Sequence, residues 1–117
     1  MLPINNKGAD AERLAEIYLE GLGYQILARN WRHKHAEIDL IVTAETGWVI
    51  FVEVKYRAKT EYGNPENFVT EKKLQTMGAA INAFMAQNEA YTNFRIDVVA
   101  IEGEGAEIKI RYFQDVI

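Results

Sequence analysis

The chain has 117 residues, 49% hydrophobic and 26% charged, with a formal net charge of -4. That length suits one domain, and the apolar fraction supports a real core and excludes wholesale disorder. The acidic balance argues against a simple nucleic-acid coat, which is usually basic, yet it is compatible with a site where acids hold cations. With no cysteine, a disulfide framework and thiolate metal sites are excluded. No apolar run approaches the roughly 18–20 residues of a membrane span, and MLPINNKGAD contains no apolar signal core. A soluble cytoplasmic protein with no membrane partner is expected.

Residues 1–8 read as a loose start. From Asp10, the residues Leu14, Ile17, Tyr18 and Leu22 fall at helical spacing, with Ala11 and Ala15 on the same side. Asp10 can serve as N-cap, and Gly21 or Gly23 can end the helix. Tyr24 to Arg32 is a strand candidate, followed by a basic turn. Glu37 to Lys55, EIDLIVTAETGWVIFVEVK, holds two apolar runs around a turn at Ala44–Gly47 and reads as a β-hairpin whose second strand runs on to Arg57. Residues 58–67, with Gly63 and Pro65, read as a loop. A second helix is predicted from about Thr70 to Gln87, with Leu74, Met77, Ile81, Phe84 and Met85 as its apolar stripe and Thr70 as N-cap. NFRIDVVAI and AEIKIRYFQDV supply two more strands around an EGEG turn. The order α-β-β-β-α-β-β, with no repeat and no linker, predicts one α/β domain. Its mixed central sheet carries flanking helices in two or three layers.

The hairpin carries charges that apolar strands tolerate only when compensated. Period-two alternation puts Glu37 and Asp39 on one face with Ile38 and Leu40 opposite. It likewise puts Glu53 and Lys55 together, opposite Val52 and Val54. Strand pairing could bring these carboxylates to one patch, depending on a register that sequence does not fix. Clustered carboxylates raise one another's pKa. A divalent cation relieves that conflict, and Mg²⁺ favours hard oxygen donors. A nearby lysine could then orient water or offset charge on a phosphate. The simpler reading is a set of cross-strand ion pairs on a solvated face.

Asp39, a turn, and then Glu53-Val54-Lys55 resemble the PD-(D/E)XK nuclease motif. Further matches are Glu12, Tyr18-Leu19, Gly23-Tyr24, Asn30, Glu37-Ile38-Asp39-Leu40-Ile41, Phe51 to Arg57, Lys73 and Arg95 to Val99. With these, the chain from about Gly8 to its C-terminus is similar to the YraN-like family of predicted endonucleases, which are themselves like Holliday-junction resolvases. The resemblance implies a restriction-endonuclease-like core and Mg²⁺- or Mn²⁺-dependent hydrolysis of DNA, branched or flap DNA included, with a homodimer as one form. It implies Asp39 and Glu53 as metal ligands supported by Glu12, Lys55 as the catalytic lysine, and Glu37 and Lys73 as outer contacts. The alternative is a non-catalytic nucleic-acid or protein-interaction module on the same fold. Two positions depart from the family pattern, which usually has glycine where Ala11 precedes Glu12 and where Ala36 precedes Glu37.

RNWRHKH, residues 29–35, gathers Arg29, Arg32 and Lys34 around Trp31. With Arg57 these form a candidate nucleic-acid-binding rim; the bland reading is a solvated turn with Trp31 packed inward. His33 and His35 lack a third His or a Cys, so zinc is not expected. Asp97 is expected to pair with Arg95, and Glu102, Glu104 and Glu107 read as a solvated turn.

Overall fold

A computed structural model describes residues 7–57 and 70–117. The expected loop at 58–67 and most of the expected loose start lie outside the described residues. The elements are α1 (Lys7–Gly21), β1 (Gln25–His33), β2 (Ala36–Thr43), β3 (Trp48–Arg57), α2 (Glu71–Gln87), β4 (Asn93–Glu102) and β5 (Lys109–Phe113). The expected order is borne out. No helix among the described residues is long and apolar enough to cross a membrane.

The five strands lie in the order β1-β2-β3-β4-β5. β3 and β4 are parallel and every other pair is antiparallel. Parallel neighbours need a long crossover, and α2 lies within it. One sheet face buries Ile38, Ile41, Phe51 and Val98 against Met77, Ile81 and Phe84 of α2. The other buries Leu40, Val42, Ile50 and Val99 against Ala11, Ala15 and Leu19 of α1. The result is a three-layer α/β/α sandwich with a nuclease-like core. β4 is an interior strand covered on both faces, which explains why its run RIDVVAI is nearly continuous rather than alternating.

Both helix ends follow from local chemistry. At α1 the chain leaves through Gly23 at φ +96. Tyr24 N donates to Leu19 O (3.1 Å) and Gly23 N to Glu20 O (2.9 Å), the paired bonds of a Schellman motif. At α2 the Thr70 hydroxyl accepts from Lys73 N at 3.2 Å, as an N-cap should. Three expectations outside β2 need correction. α1 begins at Lys7, so Asp10 lies in its first turn rather than at its cap. Its buried row is Ala11, Ala15 and Leu19, while Ile17 and Leu22 remain 46% and 51% exposed. Ile17 lies about 200° around the helix from Ala15, and the small alanines set which side approaches the sheet. Glu102 is not solvated: it is 2% exposed and pairs with Arg111 at 3.4 Å.

Strict alternation fails in β2. Ile38 packs with α2 but Leu40 packs with α1, so these two do not share a face. β1 breaks at the same level. Arg29 reaches Glu16 of α1, while Trp31 sets its ring edge-on against Phe84 of α2 at 5.5 Å. The register pairs Arg29 with Leu40 and Trp31 with Ile38, which leaves Asn30 opposite Asp39. Asn30 sits at φ +49, a left-handed conformation that Asn tolerates better than most residues.

Asp97 is fully buried and accepts from Arg95 Nε (3.0 Å), the Tyr112 hydroxyl and the Asp115 amide (2.8 Å), so the expected pairing with Arg95 holds. Burial, then the bond to Asp97, push the Tyr112 hydroxyl well above its ordinary range. Gly103 turns the chain between β4 and β5 at φ +95, where a Cβ would stand 2.5 Å from Glu107 O. Gly103→Ala is therefore expected to destabilise by at least about 2 kcal/mol. Gly78→Ala has open space in α2 and is expected to stabilise by about 0.5–1 kcal/mol. Urea unfolding of both variants measures the two signs.

Candidate functional site

The site forms where β2 and β3 part. Their paired register runs only through Val42–Ile50, Ile41–Phe51 and Leu40–Val52. Beyond it Asp39 Oδ2 accepts the Val54 amide at 2.8 Å. A side chain thus takes over from the backbone ladder and satisfies a partly buried strand N–H.

On the α1 side, Glu12 from the helix and Glu37 and Asp39 from β2 bring one carboxylate oxygen each within 4.8 Å of one another. Neighbouring Ala11 is buried, which seats this turn of α1 close to the sheet and carries Glu12 to the acids. Ala36 is buried on the α2 side. At both positions, where the resemblance leads one to expect glycine, the alanine methyl group fills core. Burial, then the Asp39 charge, push the Glu12 carboxyl up to about 7; Glu37 adds to this, and the Asn30 amide, a hydrogen-bonding partner, opposes it. Asp39 is also raised, by burial first, against the pull of the Val54 amide and of Lys73 and Lys55.

Glu53 occupies the other side of the split. It is 5% exposed and faces α2. Lys55 Nζ lies 3.5 Å from its Oε1, and Lys73 Nζ lies 3.5 Å from its Oε2. At that range Lys73 supplies charge but no hydrogen bond, and Oε2 has no hydrogen-bond partner among the described residues. Burial and then Asp39 raise the Glu53 pKa, while the two lysines lower it. The structure therefore groups Glu12, Asp39 and Glu37 tightly. Glu53, expected from the resemblance beside Glu12 and Asp39, sits between Lys55 and Lys73 and feels Asp39 across the split. The donors are carboxylate oxygens throughout, which suits Mg²⁺ or Mn²⁺ rather than zinc. The buried Glu53 oxygen is one more acceptor in need of a partner.

The expected basic rim is mostly paired. Arg29 makes a two-pronged contact with buried Glu16, one prong at 3.1 Å, and Arg13 reaches the same carboxylate at 2.9 Å. The Arg29 bond is the main cause that lowers the Glu16 pKa. Arg32 pairs with Glu37 at 2.7 Å. Lys34 is exposed in the β1–β2 turn, and Arg57 is exposed at the end of β3. Trp31 packs inward and stacks on His33. A cleft of about 310 Å³ beside Glu12 is lined by Arg13, Glu16, Arg29, Asn30 and Leu40. Sequence reading assigned no role to Glu16 or Asn30. The available signals were a carboxylate one turn after Glu12 on the same helix, and a lone amide interrupting a strand.

Because the folded Glu12 pKa lies above its ordinary value of 4.5, the folded chain holds an extra proton between those values and loses stability as pH rises through them. Glu12→Gln is expected to raise the melting temperature at pH 8 and to change it little at pH 4.5, as calorimetry at the two pH values would show.

Residues 11–101 match the model of Uncharacterised protein family UPF0102. The chain is 38% identical over 111 residues to UPF0102 protein FP2501 of Flavobacterium psychrophilum, covering 95% of this chain and 92% of that protein. A UPF0102 protein of Halorhodospira halophila is 42% identical over 97 residues, 83% of this chain and 78% of the relative. One of Rhodococcus opacus is 39% identical over 110 residues, 92% of each chain. These matches bear out the YraN-like resemblance, and on them the chain belongs to the UPF0102 family.

Proposed function

We propose that this protein is a divalent-metal-dependent endonuclease that hydrolyses DNA phosphodiester bonds, branched or flap DNA included. One juxtaposition carries this reading. A tight group of three carboxylates stands on one side of a strand split, and a buried glutamate flanked by two lysines stands on the other. As a purely structural arrangement it is costly, because burial and mutual repulsion raise the pKa of Glu12, Asp39 and Glu53 together. Groups displaced in this way mark functional sites.

In this reading Asp39, Glu12 and Glu53 would hold Mg²⁺ or Mn²⁺, with Glu37 as an outer contact. The bound cation supplies a Lewis acid for the phosphate and a more acidic water. Lys55 offsets the Glu53 charge, and its ammonium orients the attacking water and faces the developing phosphate charge. Lys73 holds a phosphate oxygen from the α2 side. Asp39 is fixed by its bond to the Val54 amide, which leaves its second oxygen free to serve as a ligand when a cation is bound. Arg32 shields Glu37 until substrate competes for the guanidinium.

The test is cleavage of labelled duplex, single-strand, flap, nicked and four-way-junction DNA with Mg²⁺, Mn²⁺ or EDTA. Cleavage is expected only with metal, and Lys55→Ala and Glu53→Ala are each expected to lower it at least about a hundredfold. No cleavage of any DNA, with no divalent-metal binding by the folded wild type in calorimetry, would refute the nuclease and favour the interaction module.

A pH profile gives a second expectation. Glu12 must lose its proton to accept a cation, so Mn²⁺ affinity and cleavage should rise with pH up to about 7, the Glu12 value, and then level off. In Glu12→Gln this limb should vanish. Calorimetric Mn²⁺ titrations from pH 5.5 to 8.5 check the binding half without requiring activity.

A further inference from the structure

The three acids grouped on the α1 side each have a donor partner from outside the group, and the partners differ in kind. Asp39 accepts the Val54 amide at 2.8 Å, Glu37 pairs with the Arg32 guanidinium at 2.7 Å, and Glu12 accepts from the side-chain amide of Asn30. A guanidinium offsets the charge of the carboxylate it binds. A neutral amide fixes one oxygen and leaves the negative charge for a cation. Glu12 and Asp39, two of the acids assigned to the metal above, are thus the ones held by uncharged donors.

β1 departs from regular geometry where it supplies the Asn30 amide. In a regular strand Arg29 and Trp31 would share one face, with Asn30 on the other. Here Arg29 bonds to Glu16 of α1, whereas Trp31 meets Phe84 of α2. The change of face falls at Asn30, whose φ is +49. Two consecutive residues of β1 therefore serve α1, Arg29 at Glu16 and Asn30 at Glu12. Those acids are four residues apart, and so are neighbours on one face of the helix. The register also sets Asn30 opposite Asp39. Glu12, Arg29 and Asn30 line the same cleft of about 310 Å³. Glycine would meet the left-handed conformation as well, so the turn by itself does not call for an amide.

We propose that Asn30 is a positioning residue for the metal site: its amide holds the Glu12 carboxylate toward Asp39, so that the two acids can share one divalent cation. The inference rests on the metal-site reading above but not on cleavage of DNA. Hydrogen bonds to a ligating carboxylate change metal affinity by about 10–100-fold.

The experiment is calorimetric titration of Mn²⁺ into wild type and Asn30→Gly at pH 8.5, well above the Glu12 value of about 7. Glycine keeps the left-handed backbone and removes the amide, and circular dichroism confirms the fold. Asn30→Gly is expected to weaken Mn²⁺ binding by about tenfold or more. A residue serving the turn alone would leave the affinity unchanged. A second measurement needs neither metal nor a variant at Asn30. In the ¹H–¹⁵N spectrum of the metal-free protein, one Asn30 side-chain amide proton is expected to lie downfield. In Glu12→Ala it should return to the range of free asparagine amides. Wild-type Mn²⁺ affinity in folded Asn30→Gly would overturn the inference, and so would an Asn30 amide that Glu12→Ala leaves unmoved. Failure of the wild type to bind Mn²⁺ would overturn it together with the metal site. Mn²⁺ affinity that Asn30→Gly loses, in a protein that cuts none of the DNAs, would uphold Asn30 and count against the nuclease alone. Metal-dependent cleavage in a protein whose Mn²⁺ affinity ignores Asn30→Gly would do the reverse.

Discussion

The bond from the Val54 amide to the Asp39 carboxylate organises this molecule. It lies where β2 and β3 cease to pair, and it allows them to separate without an orphaned strand donor. On one side of the gap the acids of α1 and β2 converge. On the other, Glu53 drops toward α2 and its lysines. A continuous ladder would have kept the two sets of side chains on rigidly alternating faces. The break lets a sheet residue serve both sides at once, since Asp39 crowds Glu12 and also acts on Glu53.

The two helices make this possible by different means. α1 comes close through alanines, so a helical carboxylate can reach the sheet. α2 sits over Phe51 and Trp31 by way of Phe84, whose ring meets each of theirs edge-on. It thereby brings Lys73 down to Glu53. Packing on both faces is ordinary, aliphatic and aromatic; the cost is concentrated in the gap, where three carboxyls are pushed upward in pKa. The stability of the core is what allows such a gap to persist.

Much of this was legible in the sequence. The element order, the hairpin turn, the cap at Thr70 and the α2 stripe all follow from periodicity and turn chemistry, because long regular segments announce themselves locally. The errors arose where tertiary geometry overrides the local pattern. Leu22 and Ile17 looked like core, yet the alanine row decided which face of α1 approaches the sheet. Ile38 and Leu40 looked equivalent, yet the turn at Asn30 and the break at Asp39 put them on opposite faces. Glu102 looked like part of a polar turn, yet its partner Arg111 lies on another strand. In the site, the motif residues could be named in advance. Their distribution between two faces, and the contacts of Glu16 and Asn30, could not, because both depend on where β2 and β3 stop pairing.

The left-handed turn at Asn30 has one more effect. β1 is an edge of the sheet, and an exposed edge is a template on which another chain can add a strand. At Asn30 the strand changes which way its side chains point, and Arg29 and Arg32 flank the change, each committed to a carboxylate of its own chain. An incoming strand could not keep a regular ladder across that point. The opposite edge, β5, offers only five residues. The conformation that sets Asn30 beside Glu12 thus also guards the sheet against open-ended growth, and any pairing of two copies through this sheet would have to use something other than a long continuous strand edge.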